Sequence, residues 1–133
     1  MELAVLEFLG GDPGYLALFE AVEGAVAQLG ESRLAVSKTQ ISWGNPKKFA
    51  FFSLPHRRGP AFPAGSAICT FGLGERVEHP RIAAAVEPYP GRWTHYVVVS
   101  RPEEVDGQLR EWLAQAYVFA REKGSARSPL LAR

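Results

Sequence analysis

Helices at both ends of the chain with β-prone runs between them predict an α+β domain: an antiparallel sheet of about five strands, with N-terminal and C-terminal helices packed on one face. Three observations carry that expectation. Apolar residues recur at helical spacing near each end, and Gly, Pro and Asn cut the intervening stretch into short β-branched and aromatic runs. The size and composition, 133 residues with 47% hydrophobic and 22% charged, are those of one globular domain. The expected domain is residues 1–124, with 125–133 as a C-terminal tail.

Leu3, Leu6 and Leu9 suggest a short first helix that Gly10 and Gly11 end. Asp12 and Pro13 then suit an N-cap and first helical position, and Leu16, Phe19, Val22, Val26 and Leu29 form one apolar stripe up to Gly30. From Arg33 the pattern shifts to strand-like runs at 34–37, 40–43, 48–54, 66–71 and 93–100. Gly44-Asn45-Pro46 reads as a hairpin turn and residues 55–65 as a surface loop. The run 82–86 reads as a helical turn. The last helix has Val105, Leu109, Trp112, Leu113, Ala116, Tyr117 and Ala120 on one face. Ser100 with Glu103 has capping-box spacing, Asp106 is an alternative N-cap, and Gly124 is the expected stop. Trp93, His95, Val97 and Val99 share one side of their strand, and Thr94, Tyr96, Val98 and Ser100 the other; neither side is plainly polar, which places the strand centrally.

No apolar run approaches the roughly 20 residues of a membrane-spanning helix. The first residues lack the basic start of a secretory signal, and Cys69 is the only cysteine, so a disulfide is excluded and a reducing, cytoplasmic setting is expected. The net charge of +1 conceals a strong asymmetry. Residues 1–32 hold six acids and no Lys or Arg, residues 33–101 hold ten bases against three acids, and the remainder balances.

Catalytic signatures are sparse. Gly72-Leu73-Gly74 lacks the third glycine of a dinucleotide loop, and no Gly-x-Ser-x-Gly elbow surrounds Ser66. Cys69 lies in an apolar run, as a buried thiol does. His56, His79 and His95 have no metal-ligand spacing, so neither metal nor cofactor is expected. What stands out is a set of cations, aromatics and hydroxyls in three segments: 38–43, 74–82 and 90–96. Arginine's planar fork suits phosphate or carboxylate, and tryptophan offers a ring or base a stacking surface. The candidate ligand-binding residues are Lys38, Arg76, His79, Arg81, Arg92, Trp93 and His95. The ordinary alternative pairs Arg81 and Arg92 with Glu78 and Glu87 at the surface, and buries Trp43 and Trp93.

Lys38-Thr39-Gln40-Ile41-Ser42, Lys48-Phe49-Ala50-Phe51, Phe71-Gly72-Leu73, His79-Pro80-Arg81-Ile82 and the run from Glu87 to His95 resemble the uncharacterised family called domain of unknown function 5655. The likeness covers about residues 14–120 and implies a family but no chemistry. More distantly, a Trp-led strand before a helix ending in Ala116-Tyr117 is similar to MmcQ/YjbR-like proteins, small α+β domains suspected of binding DNA, with Ala116 where those usually carry Ser.

The expected function is that of a small binding domain whose basic face or pocket takes a phosphate-bearing ligand or nucleic acid. A second expectation is an enzyme using His79 or His95 with Lys38 as acid and base. A third is an interaction module or homodimer, in which the acidic first helices meet the basic surface of a second copy.

Overall fold

The computed structural model describes residues 3–56 and 59–126 of the protein, and side chains as far as 122. The element order is α1 (Leu3–Phe8), α2 (Pro13–Ala27), β1 (Arg33–Val36), β2 (Ile41–Gly44), β3 (Lys48–Ser53), β4 (Ala67–Leu73), β5 (Ile82–Tyr89), β6 (Arg92–Val99), a 3-10 turn (Pro102–Glu104) and α3 (Gly107–Ala126). The six strands form one antiparallel sheet in the order β1-β2-β3-β4-β6-β5. The fold is therefore the expected α+β arrangement with one strand more.

That strand is β5, where the sequence suggested a helical turn. Ala83, Ala84 and Ala85 favour helix locally, but the hairpin through Pro90 and Gly91 (φ 84°) lays residues 82–89 antiparallel to β6, and tertiary pairing overrides the weak local preference. As the sheet's outer strand β5 tolerates Pro88 and two register shifts.

Helix boundaries follow their caps. The Asp12 carboxylate accepts the Gly14 and Tyr15 N–H groups at 2.7 and 3.2 Å, and Pro13 occupies the first helical position of α2. Of the two candidates for α3, Asp106 is the cap, accepting the Leu109 N–H at 3.1 Å. Ser100 instead donates its N–H to Glu104 at 2.7 Å. The helix continues through Gly124 to Ala126, because one glycine costs only about 1 kcal/mol in a helix. Of the expected tail, residues 127–133 lie outside the described residues.

All three helices cover one face. Phe19 of α2 stacks on Trp43 and meets Phe52 edge-on, Trp112 of α3 stacks on Phe71, and Tyr117 meets Phe49 edge-on. Phe19, Val22, Ile41, Phe52, Cys69, Phe71, Val97, Leu109 and Leu113 are fully buried between the layers. At roughly 1.5–3 kcal/mol for each large apolar side chain, this layer holds the domain together. Among the described residues no helix packs on the opposite face, where Phe51, Ile68, Thr94, Tyr96 and Val98 are half-buried. No helix among the described residues is long and apolar enough to cross a membrane.

Candidate functional site: the open sheet face

The seven residues singled out from sequence do not converge. Lys38 sits at the tip of the β1–β2 turn, where the Ser37 hydroxyl oxygen accepts the Thr39 and Gln40 N–H groups. It lines a cleft with Glu7, Phe8, Val36, Leu54 and His56, and β3 and β4 separate the β1–β2 hairpin from β6, the strand of His95. The pairing of Lys38 with His79 or His95 that acid–base chemistry requires does not form.

Five of the seven lie in or against the segment 74–81. The His95 ring is fully buried, stacks on Phe71 at 5.3 Å, and accepts the Val77 N–H on Nε2 at 2.9 Å. Desolvation holds its pKa below the ordinary histidine value, against the pull of the nearby Phe71 and Trp93 backbone carbonyls. Because Nε2 accepts, the neutral ring carries its proton on Nδ1, which meets no acceptor at hydrogen-bond geometry among the described residues. His79 sets its ring edge-on to Trp112 and accepts the Arg81 N–H on Nδ1 at 3.1 Å. Arg81 donates to the Asp106 carboxylate and the Glu104 carbonyl, both at 2.8 Å, and so ties the start of β5 to the start of α3. Arg76 lies over the Trp93 ring at 5.8 Å, with Glu78 at 4.0 Å. Only Arg92, of the predicted set, points to the helix-free face.

On that face the strand registers assemble a different group. Residues paired across neighbouring strands share a face, so Ala35, Ser42, Phe51, Thr70, Tyr96 and Ala84 form one row crossing all six strands. Toward the end of the sheet where β2 and β4 finish, Arg33 pairs with Gly44, Gly44 with Lys48, and Arg92 with Tyr89. These positions put three cations from β1, β3 and β6 on the open face. Gly72 makes room for the third: a Cβ there would run into the Arg92 guanidinium, which folds back over the glycine toward the Gly72–Thr94 pair. Arg92 Nε is covered and without a hydrogen-bond acceptor among the described residues.

None of Arg33, Lys48 and Arg92 has a carboxylate partner among the described residues. Glu31 lines the cleft beside Arg33 without pairing with it, and Glu87 accepts the Gly91 N–H instead of meeting Arg92. The paired open-face positions of β1 to β6 include no Asp or Glu. The hydroxyls of Ser42, Thr70, Thr94 and Tyr96 on this face make no hydrogen bond with a described residue. Several acids lie behind, with Glu7, Asp12, Glu20 and Glu23 on or beside α1 and α2, and Glu103, Glu104, Asp106 and Glu111 around the start of α3.

Sequence reasoning missed Arg33, Lys48, Phe51, Thr70 and Tyr96. The available signal was period-2 alternation read outward from Gly44, but it acquires meaning only once the strand order is known. Among the described residues, no group of three His, Cys, Asp or Glu side chains could hold a metal ion.

The fold and this face define a small α+β domain with a helix-backed sheet and a basic open surface. Residues 7–120 match the family described as a domain of unknown function (DUF5655), and the chain belongs to it. Comparison with curated proteins and with solved structures gave no match, and nothing found supports the likeness to MmcQ/YjbR-like proteins.

Proposed function

We propose that the protein is a binding domain whose open sheet face takes a phosphate-bearing polyanion, with Arg33, Lys48 and Arg92 as the anion contacts. The observation that carries this reading is the placement of three cations from three strands, none with a carboxylate partner among the described residues, on a face whose paired positions include no carboxylate. Neighbouring strands are about 4.8 Å apart, so each cation stands roughly 10 Å across the sheet from the next. That separation is too large for the three to close on one phosphate and suits a ligand with repeated anionic groups.

Oligonucleotide titration at low and moderate salt tests the reading. The expected affinity falls with salt along a log–log slope near −2, since each phosphate contact contributes about −0.7 on a single strand. Arg92→Ala shallows that slope by about one contact. Absence of binding at low salt to any oligonucleotide overturns the reading. Self-association is a second reading, supported by the acidic helices behind a basic sheet; salt-sensitive dimers in light scattering are its signature.

A further inference from the structure

Resting on that reading, we infer that the ligand is single-stranded nucleic acid, its phosphates along Arg33, Lys48 and Arg92 and its bases on Phe51 and Tyr96. The cations identify only the charge of the ligand. Its form follows from the shape of the surface and from what lies beside the cations.

The open face is six strands broad, or roughly 24 Å between its outer strands at 4.8 Å per step. The major groove of a DNA duplex is only about 12 Å wide and admits a helix or a two-stranded ribbon, so this sheet cannot enter it. A duplex could touch such a surface through its outer phosphates alone. A single strand is free to lie across the sheet with its bases turned onto it.

The central row offers what those bases would need. Phe51 and Tyr96 are both half-buried on the open face, and each is paired with Thr70 between them. Two strand spacings separate the rings, roughly 10 Å, which matches the spacing of the cations across the same strands. Phe51 stands on the strand of Lys48, and Tyr96 on the strand of Arg92. Each aromatic is thus matched with a cation on its own strand, and the folded-back Arg92 guanidinium lies nearer to Tyr96 than an extended one. Thr70 and Ser42, between and beside the rings, are themselves buried, so the aromatic rings and not these hydroxyls form the surface offered to a base. Every base has a π-face, so recognition of this kind tolerates sequence.

The test measures fluorescence anisotropy with three labelled 12-nucleotide probes at one salt concentration: an oligothymidylate, an abasic strand of equal charge, and a duplex of the same length. The expected result is oligothymidylate binding at least tenfold tighter than the abasic strand and tighter than the duplex. Tyr96→Leu and Phe51→Leu each weaken oligothymidylate roughly tenfold and leave abasic binding unchanged, in the range of base–aromatic stacking. Tyr96→Phe, which keeps the ring, retains affinity and separates stacking from disturbed folding. Arg92→Ala weakens all three probes alike. Equal binding of the abasic and thymidylate strands overturns the base platform while leaving the polyanion site standing, whereas no binding of any probe removes both.

Discussion

The Val77 N–H donates to Nε2 of His95 across 2.9 Å, which couples the sheet's fifth-in-line strand to the loop that precedes β5. The imidazole can accept that bond only while Nε2 is unprotonated. Burial depresses the folded-state pKa below the unfolded value of about 6.5, so the contribution is fully present above that pH and is lost as pH falls through the folded value. The urea midpoint of the native protein is expected to decline below about pH 6.5. His95→Leu removes the acceptor and lowers stability by about 1–3 kcal/mol at neutral pH. Its difference from the native protein narrows in acid, and a constant difference between pH 5 and 8 counts against this role.

Cys69 is fully buried between the layers, and desolvation pushes its thiol up to about 12, with Arg81 pulling weakly the other way. The thiolate is the reactive form, so a disulfide reagent at pH 8 should leave the folded protein unmodified. Concentrated guanidinium should release one equivalent, because the chain has a single cysteine. Rapid modification under native conditions contradicts the packing.

Asp106 both caps α3 through Leu109 and receives Arg81, and its carboxyl lies below the usual aspartate range, first from the Leu109 N–H and then from the guanidinium. Its contribution is therefore present above the unfolded value near 3.9 and disappears as pH falls through the lower folded one. Asp106→Ala is expected to cost about 1–2 kcal/mol, mostly from the lost cap, read as a lower melting temperature at pH 7. Arg81→Met keeps the cap and should cost less.

Two glycines make opposite predictions. At Gly72 a methyl group meets the end of the flexible Arg92 side chain, so Gly72→Ala should change stability by less than about 1 kcal/mol while weakening oligonucleotides as Arg92→Ala does. Gly30 has φ 139°, and its Cβ would meet the Tyr117 hydroxyl, whose hydrogen bond to the Glu31 carbonyl anchors α3. Gly30→Ala should cost about 1–3 kcal/mol and leave the open face unaltered. Melting curves paired with anisotropy separate the two effects.

Local chemistry made the helices legible. Asp12 and Pro13 mark the start of α2, and the stripe from Leu109 to Ala120 marks the buried side of α3. β5 was hidden because its alanines favour helix while its determinant, pairing with β6, is tertiary. The side of the sheet proposed to bind was hidden for a related reason. His79, Arg81 and His95 have the chemistry of ligand groups, but Trp112, Asp106 and Val77 engage them from elements that local pattern does not place beside them. Arg33, Lys48 and Arg92 look unrelated in sequence, and the strand order brings them onto one surface.

Arg33, Lys48 and Arg92 stand on the open side of the sheet while Glu7, Glu20 and Glu23 ride on or beside the helices behind it, so the two sides differ in charge although the net charge is only +1. At physiological ionic strength fields decay over about 8 Å, so a distant polymer meets a nearly neutral particle, and attraction sets in only once the correct side is turned toward it. Capture would then be governed by rotational orientation at close range, and retention on both cation- and anion-exchange resins would be its chromatographic trace.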